Sequence, residues 1–153
     1  MFYGEYHHNI DNKGRLIIPS KFRATIKEAY IEKFYVTRGL ERCLFVFTQN
    51  EWTQLQSKVK NLSLMKANAR SFSRVLFSGA YEAVCDKQGR IMLPPHLIQY
   101  AEIKKSIVVV GVATRFEIWS VETWEKFVKE SLRNYEAIAE ELVDRGSAEE
   151  REK

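Results

Sequence analysis

The chain has 153 residues, 45% apolar and 29% charged, a balance that suits a soluble globular protein with one good core or two small units sharing one. Its longest apolar run, Ile107 to Val110, is far short of the roughly 18 residues a membrane span needs, and Met1 to Glu5 has no basic flank leading into an apolar stretch, so neither a membrane span nor a secretory signal is expected. The net charge of +4 is unevenly spread: residues 1–75 hold thirteen Lys/Arg against six Asp/Glu, residues 76–139 hold eight of each, and residues 140–153 hold three against six, so the basic first half hints at an anionic partner.

In chain order, residues 6–10 and 15–18 read as two strands of a hairpin closed by Asp11-Asn12-Lys13-Gly14-Arg15. Asp-x-x-Gly between β-prone runs suits a type I turn followed by a glycine in the left-handed region. Gly14 supplies the positive φ without a Cβ clash. Asp11 opens the turn, its carboxylate accepting from backbone N–H groups two residues on. Arg15 begins the return strand within reach of that carboxylate. Pro19 ends the strand and starts a short helix over 20–26, with Phe22 and Ile26 on one face and Lys21 and Arg23 away from it. Residues 34–37 and 43–47 read as strands with Gly39 in the turn between them. Thr48-Gln49-Asn50-Glu51 is a capping box, opening a helix whose Trp52, Leu55 and Val59 share a stripe. Residues 63–76 read as a further helix carrying Leu64, Ala67, Phe72 and Val75.

The same order then repeats. Asp86-Lys87-Gln88-Gly89-Arg90 follows the first motif by 75 positions, again with a tyrosine five residues before the aspartate and three apolar residues and Pro94 after the arginine. Its strands are 81–85 and 90–93, and a short helix follows Pro94-Pro95 with Leu97 and Ala101 answering Phe22 and Ile26. Strands at 107–111 and 115–119 follow, and a helix capped by Ser120 begins near Trp124. Gly111 answers Gly39 and Trp124 answers Trp52 at a spacing of 72, which places a loss of three residues between the short helix and the next strand. Phe127, Val128 and Leu132 continue the last stripe, and a segment over 135–143 carries Ile138 and Leu142. Three parts result: repeats over 1–75 and 76–143, and a charged tail over 144–153 that is expected to be disordered. Four short strands per repeat cannot close a core alone, whereas two repeats about a pseudo-twofold axis can.

The chemistry-bearing residues favour binding over catalysis. Lys13, Arg15, Lys21 and Arg23 crowd into the thirteen residues from Asp11 to Arg23, in which Asp11 is the one acid, whereas Gln88, Arg90, His96 and Ile98 stand at the equivalent positions of the second copy, with Lys87 nearby. A hairpin ribbon can enter a major groove, so for the DNA partner that the resemblance given below implies, the first copy is the candidate reader: Lys13 or Arg15 at base edges, Lys21 and Arg23 on phosphates. Two blander readings stand beside this one: the Asp–Arg pairs staple their turns and no more, and Lys21 and Arg23 form a solvated helix face. His7-His8 lacks a ligand partner at metal spacing. Cys43 and Cys85 form no C-x-x-C motif and read as reduced, buried thiols of a cytoplasmic protein. No nucleophile–base pair, phosphate loop or metal cluster marks an enzyme, and neither cofactor nor small-molecule substrate is expected.

With both Asp-x-x-Gly-Arg copies in view, the chain resembles the AbrB-like swapped-hairpin DNA-binding domains. The tandem arrangement, the Phe2-Tyr3-Gly4-Glu5-Tyr6 start and the Arg15 to Arg23 run resemble the MraZ family of bacterial transcriptional regulators over roughly residues 1–143. The resemblance implies a mainly β fold with outer helices, a tandem-duplicated swapped-hairpin β-barrel forming a pseudo-dimer in one chain. It implies ring-shaped homo-oligomers in the cytoplasm, at the nucleoid, bound to double-stranded DNA at tandem promoter repeats upstream of a division and cell-wall operon, usually as a repressor. The family motif falls on Asp11, Gly14 and Arg15 and again on Asp86, Gly89 and Arg90. A ring-forming scaffold that does not chiefly bind DNA is the alternative.

Overall fold

The computed structural model describes residues 1–152. They divide into two compact units, Met1–Val121 and the residues from Glu122 onward. The first repeat comprises β1 (Phe2–Asn9), β2 (Arg15–Ile17), α1 (Ser20–Glu28), β3 (Lys33–Arg38), β4 (Leu44–Thr48), α2 (Gln49–Lys60) and α3 (Ala67–Ser78). The second comprises β5 (Tyr81–Val84), β6 (Arg90–Met92), α4 (Pro95–Tyr100), β7 (Ser106–Ala113) and β8 (Arg115–Ser120), followed by α5 (Val121–Arg151). The local signals explain several boundaries. Thr48 Oγ1 accepts the Glu51 N–H at 3.3 Å and starts α2, and Pro95 occupies the first turn of α4, where a missing N–H costs nothing.

The strands form a six-stranded antiparallel sheet in the order β1-β7-β8-β4-β3-β5 and a separate two-stranded ribbon, β2-β6. Two expectations are corrected here. The strands joined by each Asp-x-x-Gly-Arg turn do not pair with one another: β1 pairs with β7 and β5 with β3, so each repeat lends its first strand to the other. Nor does the sheet close into a barrel. β1 and β5 are its two edges, and β2 and β6, three residues each, pair only with each other and bridge neither edge.

The registers show the internal twofold directly. Leu16 lies opposite Ile91, its own counterpart, and Phe45 lies opposite Glu117, also its own counterpart. The pseudo-axis therefore passes through both the ribbon and the centre of the large sheet. The change of spacing from 75 to 72 is also relocated. It falls inside the short helix, nine residues long in α1 and six in α4, rather than in the loop after it. One further residue is gained before β7 and lost again in the β7–β8 turn, so that Gly111, opposite Phe116, matches Arg38, opposite Leu44, rather than Gly39.

Between the elements lies one aromatic and aliphatic core drawn from both repeats. The Phe22 ring meets those of Phe2, Tyr6 and Phe116 at 5.2–5.3 Å, and Phe116 meets Phe34 at 5.4 Å. Leu16, Ile18, Ile91, Leu93 and Leu97 are buried with them. On the α2 side Trp52 is buried, stacked on Tyr35 at 5.2 Å and edge-on to Phe77 at 5.7 Å. α3 begins at Ala67, later than expected, and leaves Leu64 exposed before it. The tail also differs from expectation. In place of a break before residue 135 and disorder after 144, α5 runs 31 residues to Arg151. Helix-favouring Glu, Ala and Arg and an Arg145–Glu141 pair at 2.7 Å support its last turns without any apolar face.

Candidate nucleic-acid interface

Each turn is held by one aspartate used three ways. Asp11 Oδ1 accepts the backbone N–H groups of Lys13 and Arg15, both at 2.9 Å, and Oδ2 accepts from Arg15 Nε at 2.7 Å. Asp86 does the same for Gln88, Arg90 and Arg90 Nε, each at 2.9 Å. The backbone closes each loop in parallel, Asp11 N–H donating to the Arg15 carbonyl and Asp86 N–H to the Arg90 carbonyl at 2.9 Å. The N–H of Arg15, before the other bonds, holds the Asp11 carboxyl below its ordinary range, and the N–H of Arg90 does the same for Asp86. Gly14 and Gly89 sit at φ +79° and +76°, the left-handed conformation that the motif requires there.

The turns interlock across the pseudo-axis. Leu93 N–H donates to the Gly14 carbonyl at 2.8 Å and Ile18 N–H to the Gly89 carbonyl at 2.9 Å. Between them runs the β2–β6 ribbon, with Arg15 opposite Met92 and Ile17 opposite Arg90. Strand alternation turns Leu16 and Ile91 into the core and leaves Arg15, Ile17, Arg90 and Met92 on the other face. The carboxylate of each turn takes the arginine's Nε, so the four N–H donors on the two Nη atoms stay available for a ligand.

The predicted residues do not form one cluster. Lys13 is exposed at the tip of the first turn. Lys21 stands beside Met1 and Tyr3, at the start of β1. Arg23 crosses to the second turn, where its side chain lies against Gly89 and its charge acts on Cys85 and His8. Burial, then Arg23 and His7, lower the His8 pKa. Beside the first turn is a groove of about 840 Å³ lined by Asp11, Asn12, Arg15, Arg90, Lys104 and Lys105, among others. The two lysines were hidden from sequence reasoning by counting charge per repeat, because the second repeat sums to zero. Their signal was the dibasic pair itself, set where this repeat is one residue longer than the first.

Other candidates fall away from the face. His7 Nε2 is 3.0 Å from Glu5 Oε1, and no cluster of three or more His, Cys, Asp or Glu suited to a metal occurs among the described residues. Cys43 is buried and Cys85 half-buried, and both are free thiols. No helix among the described residues is long and apolar enough to cross a membrane.

Comparison with known proteins places this geometry in context. A family model described as "MraZ protein, putative antitoxin-like" matches residues 1–75 and again residues 76–146. A protein named Transcriptional regulator MraZ from Moorella thermoacetica is 51% identical over 144 residues, covering 94% of this chain and 98% of that protein. Its namesake from Desulforamulus reducens is 50% identical over 144 residues, covering 94% and 99%.

Proposed function

The chain belongs to the MraZ family, and from that premise we propose that it is a transcriptional regulator that binds double-stranded DNA through the β2–β6 ribbon and its two turns. The observation that carries this reading is the pair Arg15 and Arg90, aimed from one exposed ribbon face by their own carboxylates. A two-stranded ribbon is narrow enough for the major groove, and an arginine with free Nη donors matches guanine O6 and N7. Lys13 and Arg15 take base edges, while Lys21 and Arg23 hold phosphates. One chain with few phosphate contacts binds weakly, whereas a homo-oligomeric ring on spaced promoter repeats gains by avidity. The family resemblance adds repression of its own operon, in the cytoplasm at the nucleoid, to this reading. Leu64 and Met65, 77% and 86% exposed between α2 and α3, support self-association, and they are the specific support for a scaffold reading without DNA.

The test is binding of wild type and Arg15→Ala to the duplex upstream of the chain's own coding sequence across a salt series, with fold checked by circular dichroism. Tight wild-type binding with a steep salt slope, lost in a folded Arg15→Ala, supports the regulator. Equal binding by the folded variant makes Arg15 a turn staple. No specific wild-type binding at any salt favours the scaffold.

A further inference from the structure

The groove at the first turn has a cationic wall that comes from the second repeat. Ile10 N–H donates to the Lys105 carbonyl at 2.9 Å, tying the segment before β7 to the residue just ahead of Asp11. Lys104 and Lys105 are both exposed, line the groove with Arg15 and Arg90, and have no ion-pair partner among the described residues.

The pseudo-twofold supplies an internal control. By the strand registers Lys33, opposite Val84, matches Ser106, opposite Asn9, so at the second turn the place of Lys104-Lys105 is taken by one residue, the acid Glu32. The adjoining Lys33, at the start of β3, is bound to Glu82 of β5 at 3.4 Å, and interactions with Tyr35 and Glu82 raise the Lys33 pKa. The β1 residue that matches Glu82 is His7, whose ring is engaged by Glu5 instead. The fold thus presents the same place twice, once as an acid beside a paired lysine and once as two unpartnered ammonium groups beside Arg15. Unpaired exposed lysines beside a concave surface suit a repeating anion, and phosphates about 7 Å apart along a strand suit adjacent lysines better than a single small anion does.

We propose that Lys104 and Lys105 are phosphate contacts for the DNA strand that flanks the first turn, so that the first repeat's reading surface is completed by the second. The inference rests on the DNA-binding reading above. It also extends the second repeat's part in binding from Arg90 on the ribbon to side chains outside it. Because Ile10 uses the Lys105 backbone, truncation of either side chain leaves that hydrogen bond in place.

The experiment measures affinity for the upstream duplex against salt for wild type, Lys104→Ala/Lys105→Ala, and Lys58→Ala/Lys60→Ala, which removes two exposed lysines from α2. The groove variant is expected to lower the slope of log affinity against log salt by about 1.8 and to weaken binding roughly 10- to 100-fold at 0.1 M salt, with the α2 variant close to wild type. Wild-type affinity and slope in the groove variant, or an equal loss in the α2 variant, overturns the proposal while leaving DNA binding intact. If wild type binds no duplex even at low salt, the DNA reading itself fails and this inference falls with it.

Discussion

Gly14 and Leu93 meet through both polar groups of the Leu93 backbone. Its N–H donates to the Gly14 carbonyl at 2.8 Å, and its own carbonyl oxygen lies 2.7 Å from where a Cβ on Gly14 would stand. At the equivalent Gly89 the new Cβ would meet Arg23 Cδ at 2.5 Å, the middle of a flexible side chain. Both glycines have positive φ, so an alanine at either costs roughly 1–2 kcal/mol of backbone strain. Only at Gly14 must a hydrogen-bonded backbone also move. Gly14→Ala is therefore expected to destabilise more than Gly89→Ala, with urea unfolding as the measurement, and Gly89→Ala is expected to displace Arg23.

Phe22 joins a first-repeat helix to strands of both repeats through three ring contacts. Phe22→Ala leaves a cavity in the middle of this shared core. A loss of about 3–5 kcal/mol is expected, in one cooperative unfolding transition of the Met1–Val121 unit. Separate transitions for the two repeats would contradict a common core.

Acid should weaken the fold in two stages. Asp11 and Asp86 have folded pKa values below the ordinary 3.8, so their contribution is complete above that value and is lost as pH falls through the folded values. His8, held below 6.5, acts in the same direction, because the unfolded chain takes up its proton first as pH drops below 6.5. Stability measured by denaturant titration should fall from pH 7 to 5 and again below 4. Asp11→Asn/Asp86→Asn should flatten the second fall, and His8→Gln the first.

The two thiols should differ in reactivity. Burial, before the nearby Glu117 and Glu41 carboxylates, pushes the Cys43 thiol far up, and its Sγ lies 3.1 Å from the Leu40 carbonyl oxygen. Cys85 is raised too, by burial and Asp86, yet is half-buried with Arg23 pulling the other way. A thiol reagent should modify Cys85 first, and Cys43 only at the rate of global unfolding.

The sequence carried the local chemistry of this protein and little of its long-range pairing. Asp11, Gly14 and Arg15 announced their turn because its requirements, a positive φ and an acceptor for two N–H groups, lie within five residues. The Thr48 cap and the Trp52 stripe were legible for the same reason. The exchange of β1 and β5 was not, because an alternating strand fits any partner of matching length. The family resemblance implied a swapped hairpin, but the pattern itself suggested an ordinary one. Arg23 looked like a neighbour of Arg15 at a distance of eight residues, yet the fold sends it to Gly89. The dibasic pair at Lys104 was obscured by the acids that balance it elsewhere in its repeat.

The strand exchange also sets an order of events during synthesis. β1 leaves the ribosome well before its one partner, β7; Phe2 waits for Ala113, 111 residues later. Until then the apolar side of β1 and the turn that follows it have no place to dock, whereas β3 gains β5 on its outer edge once Val84 is made. A chain stopped after the first repeat would hold an open strand and an open edge shaped to receive each other, so two such fragments could exchange β1 as the two repeats of one molecule do. Duplication within a single chain keeps that exchange intramolecular, at the cost of a late closing step in which most of the sheet is completed at once.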